Sequence, residues 1–402
     1  MGPLRLSCRQ LLPRVAMSLL AGLLIGHAAP AAAGPYTLAD LGTGGEGRRL
    51  WATGLNDSGQ VVGYSYSNGF RGESTVNDYQ AFVTGPNGVG LTLLGASGNG
   101  WSQARSINNA GEVAGTLLAP DGNPHAFFSA PGEAPRDLGT LPGQTHSEGK
   151  AIGPNGEVGG VGFLTSPHGG SLLPLPLASV GGQNFPLDVR GIAAHGELAG
   201  NVLPYPNRTS FRSGPGGADI VVHPGAEIFG MSSGGQVAGG YDTSELGYAA
   251  FGGAGVSFAQ EPRYVPGRLG AFGQGSVASS SHGNDVNDRG QVVGQLYAAY
   301  GGPYAFVTTP EGMAHSLDSL FDFSAGSFSP FFIDAPGINE AGQVLANAIN
   351  GHAYLLTPVP EPLTGLMLLS GIGVIAVAGR RSGSSSRKAR GSASQGTGLP
   401  AA

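Results

Sequence analysis

Apolar and polar positions alternate in short runs along residues 36 to 357, and the runs break at glycine, proline, asparagine or aspartate. Such runs read as short β-strands joined by tight turns, and almost nothing between them has the period of an amphipathic helix. One phrase recurs: "GLNDSGQVVG" at Gly54 returns as "SINNAGEVAG", "AIGPNGEVGG", "DVNDRGQVVG" and "GINEAGQVLA". Aligned on their turn glycines the copies place Gly59, Gly111, Gly156, Gly196, Gly235, Gly290 and Gly342 at intervals of 39 to 55 residues. A chain that repeats at this interval is an array of supersecondary units, none of which can bury its apolar face without neighbours.

Within a copy the residues spell a hairpin. In Asn56-Asp57-Ser58-Gly59 the asparagine can hydrogen-bond back to the chain, Asp and Ser accept the turn, and Gly takes the positive φ that closes it. Gln60 to Tyr64 then supplies a β-branched strand, with Ala52, Gly54 and Leu55 leading in from the other side. Copies three to five, at Ile152 to Val158, Ile192 to Leu198 and Met231 to Val237, are worn and lack the leading Asn. A second element, a short apolar strand, appears as "QAFVTGPNG", "HAFFSAPG", "YAAFGGAG", "YAFVTTPEG" and "HAYLLTPV"; a third is "ADLGTGG" at Ala39, echoed by "RDLGTLPGQ". About four strands per copy predict an all-β chain: a β-propeller-like array of about seven four-stranded repeats, with a β-solenoid as the alternative. Residues Tyr36 to Leu41 are placed to complete the last blade beside His352 to Leu356 and close the ring.

These three elements resemble the HAF repeat of bacterial extracellular proteins, named for the strand seen here at His125, Ala126 and Phe127. The resemblance covers residues 34–358, with copies three and four degenerate, and implies an extracellular address without assigning an activity to any residue.

Both ends of the chain differ from the body. Residues 1–33 combine Arg5, Arg9 and Arg14 with an apolar run from Val15 to Gly26 and the small residues of "HAAPAAAG", the order of a secretory signal peptide. The only cysteine, Cys8, lies in that segment, so an exported body would have neither thiol nor disulfide. At the other end Pro360, Glu361 and Pro362 precede an apolar segment, Leu363 to Ala378, that stops at Arg380 and Arg381. This is a short membrane-spanning candidate, and the positive-inside rule keeps its basic flank cytoplasmic. The three-part order over 359–381 is similar to the PEP-CTERM sorting signal of Gram-negative bacteria. It implies an exosortase as partner, tethering to the inner membrane through 363–379 before processing, and a cell that makes exopolysaccharide. Such signals usually stop after the basic cluster, whereas residues 382–402 continue here as a basic tail of disordered composition.

Composition and charge narrow the body's chemistry. Glycine and proline, 73 and 29 of 402 residues, approach the range of low-complexity chains, but a hydrophobic content of 40% argues for a packed core. Of the 20 basic residues 12 fall in the body, against 25 acids. An acidic surface repels phosphate backbones, so nucleic acid is not an expected partner.

No catalytic, cofactor-binding or metal site stands out. Gly42 to Gly47 matches a dinucleotide fingerprint by letter but runs into another turn instead of a helix, and Gly230-Met231-Ser232-Ser233-Gly234 matches a hydrolase elbow on the repeat's own hairpin. Asp285, Asn287 and Asp288 have the oxygen-rich look of a calcium loop, but Gln291 stands where a closing carboxylate belongs, so an Asx-stabilised turn is the expected use. The eight body histidines show no paired spacing, and those preceding Ala-Phe are expected to bond at strand ends. Trp51 and Trp101 are expected to wedge between blades rather than form a sugar platform. The functional expectation is a non-enzymatic exported module, structural or binding, of the cell envelope or biofilm matrix. A carbohydrate-active enzyme, hydrolase or lyase, using acids such as Asp137, Asp188 and Asp285 is the alternative, and a pure spacer a third possibility.

Overall fold

The computed structural model describes residues 35–67, 78–95, 100–203, 208–243, 247–253, 278–298, 302–310, 312–321 and 330–359. The expected signal peptide (1–33), the motif Pro360 to Pro362 with its apolar segment and Arg380-Arg381, and the tail 382–402 lie outside the described residues.

The repeats fold as antiparallel sheets taken in chain order around a ring. Sheet 1 contains Arg48–Leu55, Val61–Ser67, Gln80–Thr84 and Leu91–Leu93; sheet 2 contains Ser102–Ile107, Val113–Leu118, Pro124–Ser129 and Arg136–Asp137. Sheet 3 contains Ala151–Ile152, Val158–Gly159, Phe163–Thr165 and Leu172–Pro174; sheet 4 contains Leu187–Ile192, Glu197–Val202, Thr209–Pro215 and Val221–Pro224. Sheet 5 has Ala226–Met231, Val237–Thr243 and Gly247–Gly253, and sheet 6 has Ala278–Val286, Val292–Ala298, Pro303–Thr308 and Ala314–Ser316. Sheet 7 joins Phe332–Ile338, Val344–Ala348 and Ala353–Pro358 to Tyr36–Asp40 from the start of the body.

The chain is therefore an all-β propeller, and its closing strand is the one expected. Tyr36 pairs with Pro358 and Asp40 with Tyr354, in antiparallel register. Sheet 7 also packs on sheet 1, which completes the ring and excludes the translational stacking of a solenoid. The expected count of four-stranded units is corrected: six sheets have four strands, and sheet 5 has three among the described residues. A separate hairpin, Ala178–Val180 with Gln183–Phe185, is inserted between sheets 3 and 4.

The core lies at the seams. One cluster joins Leu50, Ala52, Val61 and Phe82 of sheet 1 to Leu345, Ala353 and Leu355 of sheet 7. Another joins Val62 and Ala81 of sheet 1 to Ala104, Val113 and Phe127 of sheet 2, and comparable clusters fill the seams that follow. Each sheet buries its apolar faces against its neighbours, as a repeat too small for its own core must.

The recurring phrase serves these seams. All its turn glycines adopt positive φ, from +76° at Gly59 to +84° at Gly196 and Gly235. The Oδ1 of Asn56 accepts the backbone N–H of Gln60, while its Nδ2 donates to Gln60 Oε1 and to the carbonyl of Asn108 in sheet 2. Asn108 reaches Gly153 in the same way, Asn287 reaches Asn339, and Asn339 returns to Asn56 across the closing seam. Turn and blade-to-blade staple are thus one side chain. The Gln or Glu after the turn glycine supplies an acceptor oxygen for that asparagine in the four copies that have one.

The phrase ends on glycine for a packing reason. A Cβ on Gly115 would overlap the carbonyl oxygen of Gln103 and come within 2.6 Å of the ring of Phe127, the Phe of His-Ala-Phe. Gly63 with Phe82 and Gly160 with Phe163 repeat this close approach. The His and Asp of the other two elements also meet: His125 Nδ1 lies 3.0 Å from Asp137 Oδ1 within sheet 2, and His352 Nδ1 lies 2.9 Å from Asp40 Oδ1 where the first strand closes sheet 7. Each aspartate accepts the N–H of the glycine two residues on, Gly42 or Gly139. The histidines are strand-end hydrogen-bonders, as expected.

Candidate binding channel

The first strand of each sheet lines a central channel with a cavity volume of about 260 Å³. The residue six places before each turn glycine is Thr53, Arg105, Lys150, Arg190, Phe229, Asn284 or Pro336, and six of these, with Pro336 the seventh, border the cavity. At Thr53, Arg105, Arg190, Phe229 and Asn284 the pairing with the second strand slips by one residue. A β-bulge re-aims the extra side chain, and here it does so at the same place in five copies.

Copies two to four contribute cations to this column. Lys150 Nζ lies 3.0 Å from Asp188 Oδ1 across the seam between sheets 3 and 4, and Arg190 Nη2 lies 2.8 Å from Asp188 Oδ2. The Asp188 side chain is 1% exposed, whereas those of Lys150 and Arg190 are 18% and 30% exposed. One buried carboxylate therefore holds two cations that still reach solvent. Lys150 also meets the exposed Glu148 at 3.3 Å. Arg105 donates to Gln103 Oε1 at 2.7 Å and stands 6.0 Å above the ring of Tyr64. No carboxylate lies within ion-pair distance of Arg105 among the described residues.

Aromatic groups flank the cations on either side. Tyr64 meets Tyr79 edge-on at 5.2 Å, and Tyr66 packs 6.1 Å from both. Beyond Arg190, Phe229 lies 5.6 Å from His282, which in turn lies 6.2 Å from the exposed Tyr297. Burial pushes the His282 imidazolium below its usual range, with Glu227 opposing, so at neutral pH this ring is a neutral aromatic.

Asp57, Asp285 and Glu340 stand on the remaining wall. Asp285 Oδ2 accepts the N–H of Ile338, and burial raises the Asp285 carboxyl to about 7, the hydrogen bonds to Ile338 and Val286 opposing. Burial also raises Asp334, which accepts from Asn284 and Asn347. Glu340 is raised by burial, opposed by the N–H of Asp288 and reinforced by the charges of Asp288 and Asp57.

The stretch considered for calcium is used otherwise. Asn287 staples sheet 6 to sheet 7, and Asp288 accepts from Ser232, Ser233 and Gly234 of sheet 5, so these oxygens serve separate seams. Among the described residues no group of three or more His, Cys, Asp or Glu is arranged to hold a metal ion. Ser232 and Ser233 of the elbow-like sequence are thereby turn and seam residues. Gly42 and Gly44, in the dinucleotide-like sequence, take positive φ in a loop ahead of the first strand of sheet 1. Trp51 is half-buried on that strand opposite Tyr64, and Trp101 is half-buried just before sheet 2.

The column of channel side chains was not read from the sequence, though an alignment of the copies displays it: within the inner strand it is where residue character changes most from copy to copy.

No protein-family model and no curated protein matches the chain. Among solved structures, the β-propeller domain of the trilobed protease from Pyrococcus furiosus, with its open velcro topology, is similar at 8% identity and a TM-score of 0.46, over 77% of this chain and 93% of that one. A virginiamycin B lyase from Staphylococcus aureus is similar at 12% identity and a TM-score of 0.41, over 81% of this chain and 100% of that one. These are likenesses of fold and bear on no activity.

Proposed function

We propose that the chain is an exported, exosortase-processed propeller that acts in the cell envelope or exopolysaccharide matrix as a binding module. The observation that supports binding over turnover is the use made of the acids. Asp137 pairs with His125 on an outer strand, Asp188 is buried between Lys150 and Arg190, and Asp285 takes the Ile338 N–H. The three carboxylates named for glycan cleavage serve three separate structural tasks, whereas that chemistry needs two set across one bond. Fractionation tests the address: the expected result is a chain lacking its first 33 residues in the envelope or medium, and recovery from the cytoplasm with those residues intact would overturn the reading.

The enzymatic alternative has one observation in its favour, the Asp285 carboxyl that stays protonated to about pH 7 at the channel wall, as a general acid must. Turnover of the host's own exopolysaccharide that disappears in Asp285→Asn would favour it.

A further inference from the structure

The cations of the channel are unusual for this chain. Its body carries 12 basic residues against 25 acids, and three of the 12 stand in one column of three consecutive copies, facing the same cavity. A general field does not explain that placement, because the field of an acidic body repels anions. Folding explains part of it: Lys150 and Arg190 neutralise Asp188. Glu148 meets Lys150 as well, so Asp188 and Glu148 together match these two cations in charge, and Arg105 is the cation of the column that hydrogen-bonds the neutral amide of Gln103 in place of a carboxylate. A planar guanidinium presents paired donors to a carboxylate, which a neutral amide does not saturate.

Arg105 stands over the Tyr64 ring on one side of the column, and Phe229 borders the cavity on the other. Arg105 connects the cavity to Tyr64 and its tyrosine cluster, and Phe229 connects it to His282 and Tyr297. A free inorganic anion has no use for aromatic faces, whereas a pyranose offers apolar C–H faces for stacking along with its polar edge. Nucleic acid would also stack, but its denser phosphate charge would meet the net negative body around the channel.

We propose that the channel is a binding site for an acidic oligosaccharide, with a uronate carboxylate held by Arg105 and the Lys150–Arg190 pair and the sugar rings against the flanking aromatics. This deepens the binding-module reading above and rests on it. Asp285, protonated up to about pH 7, removes much of one opposing charge from the wall.

Isothermal titration of the full-length chain in detergent tests the site with four probes: a short oligogalacturonate, a neutral oligosaccharide of equal length, inorganic phosphate and a thymidine oligonucleotide. The oligogalacturonate is expected to bind at least about tenfold more tightly than the other three, and Arg105→Gln to weaken it about tenfold, the scale of one charge-assisted contact. Arg105 takes part in no ion pair among the described residues, so this variant is expected to keep its melting temperature; Arg190→Gln, which disturbs Asp188, serves as the second variant. Equal binding of the neutral sugar, phosphate or oligonucleotide, or a folded Arg105→Gln chain that binds oligogalacturonate unchanged, would overturn the proposal. A chain that fractionation finds exported but that binds no probe defeats this inference alone, while a chain retained in the cytoplasm defeats the binding-module reading whatever the titration gives.

Discussion

At the scale of single residues, the chain turns carboxamides into fasteners. Asn339 is buried and uses both ends of its amide: Oδ1 accepts from Gln343 N–H at 2.9 Å, and Nδ2 donates to Gln343 Oε1 and to Asn56 O. An aspartate there would keep the turn and lose the staple, since a carboxylate cannot donate. Asn347 and Asn201 act similarly from the second strand. Each bonds both backbone groups of one residue in the next sheet, Ala52 and Ile228 respectively. Asp285 illustrates the opposite case, a charge held where burial opposes it. Its carboxyl is raised from 3.8 to about 7, so the folded chain holds the proton more tightly than the unfolded one. The stability this gives is fully present below about pH 4 and is lost as pH rises through about 7. Asn at this position keeps an acceptor for Ile338 N–H without a charge. Asp285→Asn is therefore expected to raise the melting temperature by a few degrees at pH 8 and by little at pH 5. A difference from the wild type that is the same at both pH values would show that burial of the charge is not its cause.

At the scale of the strand, the close of the recurring phrase decides how near the strands approach. Gly115 has no room for a methyl group because the Gln103 carbonyl and the Phe127 ring occupy the space. In the last copy the corresponding residue is Ala346, and there Tyr354 takes the place of Phe. Gly115→Ala should cost about 1–3 kcal/mol or more by overpacking, read as a lower denaturant midpoint at unchanged slope; a midpoint equal to the wild type would mean that the inner strand can retreat. These strands were legible from sequence because their period is local, and the turn glycines were legible because positive φ leaves few alternatives to glycine. What Asn56 does beyond its own turn was not legible, since its second partner, Asn108 O, lies 52 residues away. The worn copies were harder still. Gly153, Ala193 and Ser232 look like decay of the motif, yet their seams are fastened by other means: Lys150 with Asp188, Asn201 with Ile228, and Ser232 with Asp288. The channel column escaped notice for a related reason. Its side chains meet a different partner in each copy, the Ala104 carbonyl for Thr53, Asp188 for Lys150 and Asp334 for Asn284, so they do not repeat.

At the scale of the whole molecule, closure depends on residues from both ends of the body meeting in sheet 7. The strand Tyr36–Asp40 pairs along its whole length with Ala353–Pro358, Leu41 N–H donates to Ala353 O, and Asp40 meets His352. The inner seam between sheet 7 and sheet 1 is fastened separately, by Asn339 to Asn56 and by Asn347 to Ala52. The two sets of bonds differ in what their loss would expose. Removing residues 35–41 leaves the inner fastenings in place but strips the outer edge of Ala353–Pro358, a run of unpaired N–H and C=O groups open to another chain. The shortened chain is expected to remain folded, to melt lower by roughly 5 °C or more, and to associate with increasing concentration. A peptide spanning residues 35–42 should occupy the vacant edge, because strand addition uses mostly backbone bonds, and return the chain to the monomer with its melting temperature restored. If the shortened chain melts at the wild-type temperature and stays monomeric, the inner seam alone closes the ring and the first strand only decorates it. If it unfolds outright and the peptide does not rescue it, the inner fastenings depend on the outer strand, and closure of the propeller is a single cooperative event.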